Sequence, residues 1–199
     1  MFGMEFLLAL GFGIGLSSVA GVRAFLPLAL AALFAALGLF ELPSPYVDVG
    51  GDGWWWSVFG ALAALSVLEI MLDKVRAVER ALNIVMVPVR AVSGALLFTA
   101  ALGFDLDPGS ALWLIAGATI AGAVAVAKVL LRPSAKTASA GVSVAFLSFF
   151  EDVVGLVVGA VGFFVPYLPL LLVAFLLFFY YRVRRRRGRK YVGLRILGD

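Results

Sequence analysis

Long apolar runs separated by short polar breaks fill this chain, and they predict an all-α polytopic membrane protein. The first run, Phe6 to Ala20, is loosened by Gly11, Gly13 and Gly15. A second, Ala24 to Phe40, carries Pro27 in its first turn, where proline is tolerated. These two read as short tilted spans, with a re-entrant segment plus one span as the alternative. Glu41 to Gly53 is an acidic, proline- and glycine-containing loop. Trp54-Trp55-Trp56 then opens a span to about Leu72, and the tryptophans read as an interfacial anchor. Asp73 to Met86 alternates Val75, Val78, Leu82, Val85 and Met86 with polar neighbours at helical spacing, which predicts an amphipathic helix lying in the interface. Beyond Pro88 come spans at Ala91 to Phe104, Ala111 to Leu131, Val142 to Phe164 and Tyr167 to Tyr181, with an acidic turn at Asp105 to Ser110 and a polar connection at Arg132 to Gly141. The expected division is a helical membrane domain over 1–181 and a basic tail over 182–199.

The run Val142 to Phe164 organises the rest. Glu151 and Asp152 interrupt it roughly halfway across a hydrocarbon layer of about 30 Å. An ionised acid at that depth costs about 2.5 to 3.5 kcal/mol on insertion scales, so both must face protein or water. Ser148, Asp152, Gly155, Gly159 and Gly162 recur at spacings of four and three, giving one small-residue stripe flanked by Glu151. Val153, Val154, Val157, Val158, Phe163 and Phe164 supply the apolar surface around it. Such a stripe lets helix backbones approach closely in lipid.

Composition fixes the class. With 63% hydrophobic and 14% charged residues, the chain lacks the polar surface a soluble domain of 199 residues would need. Charge is sorted by position. With loops assigned alternately, all sixteen Lys and Arg residues fall on or beside one face, while Glu41, Asp48, Asp52, Asp105 and Asp107 mark the other. The positive-inside rule then places the C-terminus in the cytoplasm, with seven spans or six plus a re-entrant segment, in a cell (inner) membrane. The cluster Arg182, Arg184 to Arg187, Arg189 and Lys190 reads as an orientation signal touching anionic headgroups, and not as a nucleic-acid site. Gly11-x-x-x-Gly15 and the glycine stripe serve internal packing or homo-oligomerisation equally well.

Leu65-Ser66-Val67-Leu68-Glu69 and Leu147-Ser148-Phe149-Phe150-Glu151 share Leu-Ser-x-x-Glu, each inside a span and each with a second acid nearby, Asp73 or Asp152. By the expected topology the two helices run in opposite directions. That suggests an inverted three-plus-three repeat followed by one helix, a plan used by secondary transporters.

These residues carry a resemblance. Gly21-Val-Arg23-Ala-Phe-Leu-Pro27, Leu68-Glu69-Ile-Met-Leu-Asp73-Lys74-Val75, Pro88-Val-Arg90-Ala-Val-Ser-Gly94, Lys128 with Arg132-Pro133, and Ser148-Phe-Phe-Glu151-Asp152-Val153 together resemble a bacterial integral-membrane family catalogued as domain of unknown function 4126. The resemblance covers nearly all of the membrane part and leaves out the arginine tail. It implies the architecture and no activity.

The residue inventory narrows the chemistry. The chain has no cysteine and no histidine, which removes thiolate and imidazole metal sites and the histidine-dependent serine hydrolases and lipid phosphatases. No enzyme, metal or cofactor is expected. What remains is electrostatic: Glu69, Asp73, Glu151 and Asp152 are candidate proton or cation sites, Arg23, Arg90 and Lys128 are candidate counter-charges, and Ser66 and Ser148 lie beside them. Asp73, next to Lys74 at the expected membrane edge, is the most dispensable acid. The expected function is a carrier or channel for a small solute or ion. The alternative is a non-transporting scaffold, or a lipid-interacting or lipid-translocating protein, whose buried charges only pin helices together.

Overall fold

The computed structural model describes residues 3–39, 53–75, 79–103, 108–131 and 144–195. Seven α-helices make up almost all of the described chain: α1 (Met4–Val22), α2 (Phe25–Ala36), α3 (Trp54–Asp73), α4 (Glu79–Ala101), α5 (Ala111–Leu131), α6 (Val144–Gly162) and α7 (Leu168–Arg195). A single 3₁₀ turn, Pro108–Ser110, leads into α5. The acidic loop before Gly53, Asp105 to Asp107 and the connection after Leu131 lie outside the described residues.

Each helix follows from its local sequence. Pro27 sits in the first turn of α2, as expected, where its missing N–H leaves no broken bond. Gly53 precedes α3 with φ of +107°, a left-handed conformation that glycine adopts without steric strain. Trp54 and Trp56 at the head of α3 are exposed, in keeping with an anchor at a membrane surface. Among the described residues, four helical segments are long and apolar enough to cross a membrane: Met4–Val22, Trp54–Asp73, Ala81–Ala101 and Ala111–Leu131. The 12 residues of α2 span about 18 Å, well short of a hydrocarbon layer of about 30 Å.

Two expectations are corrected. The amphipathic interfacial helix over Asp73 to Met86 is not one unit in the described residues, which leave out 76–78. Asp73 is the last residue of α3, and Glu79 begins a continuous α4 that passes through Pro88. Proline inside a membrane helix is tolerated because neighbouring helices and local adjustment satisfy the freed backbone groups. The polar-apolar alternation that suggested an interface is instead the buried face of α4, which includes Asn83 and Met86. At the other end, the last helix does not stop at Tyr181, since α7 runs on to Arg195.

α1 lies at the centre, touching α2, α4, α5, α6 and α7. Leu16 to Val22 are all buried, which fits a helix apolar on every face. Glycines bring the neighbouring backbones close. A methyl on Gly21 would lie 2.6 Å from the carbonyl oxygen of Ala121, and one on Gly117 would lie 2.6 Å from the carbonyl oxygen of Gly94. The α6 stripe behaves as the spacing predicts: Gly155 faces Leu26 and Arg23, Gly159 faces Leu30, and Gly162 faces Pro169 and Leu16. Gly11 lies under the ring of Tyr167 and Gly15 against Pro169, so the Gly11-x-x-x-Gly15 motif serves packing within the chain. Of the residues expected to form apolar surface on α6, Val158 belongs to the core with Val19, Val22, Val173, Leu176 and Tyr180. Val153, Val157 and Phe164 remain exposed.

Contacts fix the helix directions. Tyr167, just before α7, donates its hydroxyl to the carbonyl of Leu7 near the start of α1. Arg23, at the end of α1, meets Asp73 at the end of α3 and Ser148 near the start of α6. α1, α3, α5 and α7 therefore run one way, and α2, α4 and α6 run the other.

Candidate functional site

The turn between α1 and α2 carries Arg23 into the protein, and the ionisable residues of five other helices gather around it. Arg23 is fully buried, as are Lys128 and Glu151, and Glu69, Asp73 and Arg90 are nearly so. At a rise of about 1.5 Å per residue, Arg23 stands about 24 Å along α1 from Leu7, and Tyr180 about 20 Å along α7 from Tyr167. The cluster therefore lies nearer the end where α3 and α5 finish than the mid-depth expected from the sequence.

Nη2 of Arg23 is the hub. It lies 3.0 Å from Oδ2 of Asp73 and 3.7 Å from Oε2 of Glu151, and it donates to Oδ1 of Asp152. Oγ of Ser148 lies 3.5 Å from the same nitrogen and donates to Oδ2 of Asp73 at 3.1 Å. Two N–H hydrogens thus face four oxygen acceptors. On the opposite edges of both arginines the imbalance reverses: Nε and Nη1 of Arg23, and Nε and Nη1 of Arg90, are buried without a hydrogen-bond partner among the described residues. Each guanidinium therefore meets no acceptor among the described residues with three of its five N–H hydrogens.

Arg90 is tied in through two routes. Its Nη2 donates to Oε1 of Glu69 at 3.3 Å and to Oδ1 of Asn83 at 3.1 Å. The Asn83 amide in turn donates to Oδ1 of Asp73 at 2.9 Å. Glu69 also caps α2, accepting from the backbone N–H of Ala24 at 3.1 Å and of Phe25 at 3.4 Å. A carboxylate there suits both the unpaired amides and the positive end of the helix dipole. Ser66, one turn before Glu69, is buried as well, but none of these bonds runs through it.

Glu151 is held from the far side. Nζ of Lys128 lies 2.8 Å from its Oε2 and donates to the carbonyl of Val22 at 2.9 Å. The Tyr180 hydroxyl donates to Oε1 of Glu151. Asp152 differs from the other acids, because its side chain keeps 14% exposure. Its Oδ2 accepts no hydrogen bond, and the Lys74 ammonium lies 3.6 Å from it. Lys74 itself is 48% exposed, at the rim.

Every candidate named from the sequence except Ser66 enters this one connected network. Asp73, expected at a membrane edge and dispensable, is 1% exposed and engaged by three side chains. Sequence reasoning missed Asn83 and Tyr180. Asn83 stands two turns before Arg90 on the same face of α4, a spacing that marks it as a partner once α4 is continuous. Tyr180 continues the buried spacing of Val173 and Leu176 on α7, with nothing local to single it out.

Among the described residues, four helices long and apolar enough to cross a membrane, with a buried cluster of opposite charges between helices, fit a membrane protein. Within that class the family is shown: the model for Domain of unknown function (DUF4126) matches residues 10–186, and the chain belongs to that family. Neither the curated proteins nor the solved structures compared with it contain a match.

Proposed function

We propose that this protein is a small, non-enzymatic membrane transport protein, a carrier or channel whose polar centre is the Arg23 cluster. The observation that carries the reading is the incomplete pairing of that cluster. A set of ion pairs serving only to pin helices gains from satisfying every donor, since each buried unpaired polar group costs about 1 to 3 kcal/mol. Here two buried guanidiniums keep N–H groups unbonded, while four acceptors crowd one nitrogen. A buried polar atom left in that state calls for an explanation, and a partner that comes and goes supplies one. The paired Leu-Ser-x-x-Glu segments agree with this reading. Each places a buried serine and a buried carboxylate one turn apart, on α3 and on the oppositely directed α6, as an inverted repeat requires.

The test is reconstitution into lipid vesicles, with flux of protons, sodium, potassium and chloride followed under imposed gradients. Flux above that of protein-free vesicles, lost in Asp152→Asn while the purified protein stays folded, supports the reading. Flux that is unchanged in Asp152→Asn rejects it.

A second reading, a non-transporting scaffold, is favoured by one contact. Lys128 ties α1, α5 and α6 together through Val22 and Glu151, with no exposure of either side chain. That lock explains part of the cluster as architecture. It leaves Asp152 and the free arginine edges unexplained.

A further inference from the structure

Among the described residues, seven charged side chains form the interior of the cluster, and their charges do not cancel. Glu69, Asp73, Glu151 and Asp152 are four carboxylates, whereas Arg23, Arg90 and Lys128 are three cations. Lys74 is the fourth cation, but half of its side chain is in solvent, where water screens its charge. An unbalanced charge in a low-dielectric interior is costly, and proteins avoid it by moving a proton.

The four acids are not equally served. Glu69 accepts from two backbone amides and from Arg90. Asp73 accepts from Arg23, Asn83 and Ser148. Glu151 accepts from Tyr180 at Oε1 and pairs with Lys128 at Oε2, an oxygen that, like Asp152 Oδ2, makes no hydrogen bond among the described residues. Asp152 has the hydrogen shared from Arg23 Nη2, and its buried Oδ2 has no hydrogen bond. Exposure also falls inward along one line, from Lys74 at 48% through Asp152 at 14% to Arg23 at 1%. Asp152 is thus the acid nearest to solvent, and its Oδ2 faces the half-exposed Lys74 ammonium at 3.6 Å where Glu151 Oε2 holds the buried Lys128 ammonium at 2.8 Å.

We infer that the cluster is a proton-binding site, reached past Lys74, in which Asp152 takes up and releases the proton. Uptake converts one hydronium and the Asp152 carboxylate into water and a neutral carboxyl, leaving three carboxylates against three buried cations. The new O–H supplies the donor that the crowded side of Arg23 lacks. The groups acting on Asp152 are Arg23 from the α1–α2 turn, Asp73 at the end of α3, Lys74 just after it, and Ser148 and Glu151 from its own helix. Lys128 of α5 and Tyr180 of α7 act on it through Glu151, and Asn83 and Arg90 of α4 act through Asp73 and Glu69. An anion at the free arginine edges is disfavoured, because it would add to the negative excess.

The inference rests on the transport reading only for what the proton is used for, so its test does not involve flux. Infrared difference spectra of the purified protein across a pH titration report protonated carboxyl groups directly. A carbonyl band is expected that titrates in the unmodified protein, shifts when aspartate alone is isotope-labelled, is lost in Asp152→Asn and persists in Glu151→Gln. Lys74→Gln, a change at an exposed side chain, removes a positive neighbour and should move the titration midpoint of that band to higher pH. The absence of a titrating carboxyl band in the folded protein would overturn the inference. So would a band insensitive to aspartate labelling, one that survives in Asp152→Asn, or one unmoved by Lys74→Gln. Should Asp152→Asn fail to fold, the labelling and Lys74→Gln results decide the matter. A titrating Asp152 in a protein without flux would leave this inference standing and reject transport, whereas flux without a titrating Asp152 would do the opposite.

Discussion

The ammonium of Lys128 lies 2.8 Å from a carboxylate oxygen of Glu151, and neither side chain has any exposure to solvent. Lys128 stands on α5 and Glu151 on α6, and the same ammonium holds the carbonyl of Val22 at the end of α1. Three helices are joined at a point that water does not reach. The contact sets a stability requirement that can be measured apart from any transport.

Lys128→Met should leave Glu151 buried without its closest cation and destabilise the detergent-solubilised protein by about 3 to 5 kcal/mol. Adding Glu151→Leu removes the stranded charge, and most of the loss should return. Thermal unfolding of the single and double variants checks this. A double variant no more stable than Lys128→Met alone would show that the pair does not act as a unit.

Tyr180→Phe deletes the hydroxyl that donates to Glu151. A hydrogen bond to a charged group contributes about 1.5 to 3 kcal/mol, so unfolding should be earlier by that amount with the fold retained. A variant as stable as the unmodified protein would contradict the assigned bond.

Gly21→Ala should be strongly unfavourable. Its methyl would meet the Ala121 carbonyl oxygen and Val124 Cβ, both at 2.6 Å, and backbone cannot yield as a side-chain tip can. Overpacking of this kind costs about 1 to 3 kcal/mol. Gly60→Ala on α3 is the control, because nothing lies within 4 Å of its added methyl. There the helix gains up to about 1 kcal/mol of propensity. Melting temperatures that rank the two in the reverse order would contradict the α1–α5 packing.

Much of this was legible along the chain. Membrane-length apolar runs, the stripe through Gly155, Gly159 and Gly162, and acids that must avoid lipid all follow from local spacing and from the cost of burying charge. What spacing does not carry is convergence. Arg23 meets Asp73 and Asp152, each many tens of residues away, and only the folded bundle makes that turn a hub. Pro88 misled for a related reason. In water a mid-helix proline ends most helices, whereas here neighbouring helices support one that continues, and so Asn83 reaches the interior. Tyr180 had no local mark because a tyrosine near the end of a span is most often an interfacial anchor.

Proton, sodium, potassium and chloride flux in reconstituted vesicles, compared between the unmodified protein and Asp152→Asn with melting temperature measured on the same preparations, bears most directly on whether the Arg23 cluster works or merely holds. Flux lost in a variant that melts within a few degrees of the parent is the expected result. Undiminished flux in that variant would contradict it.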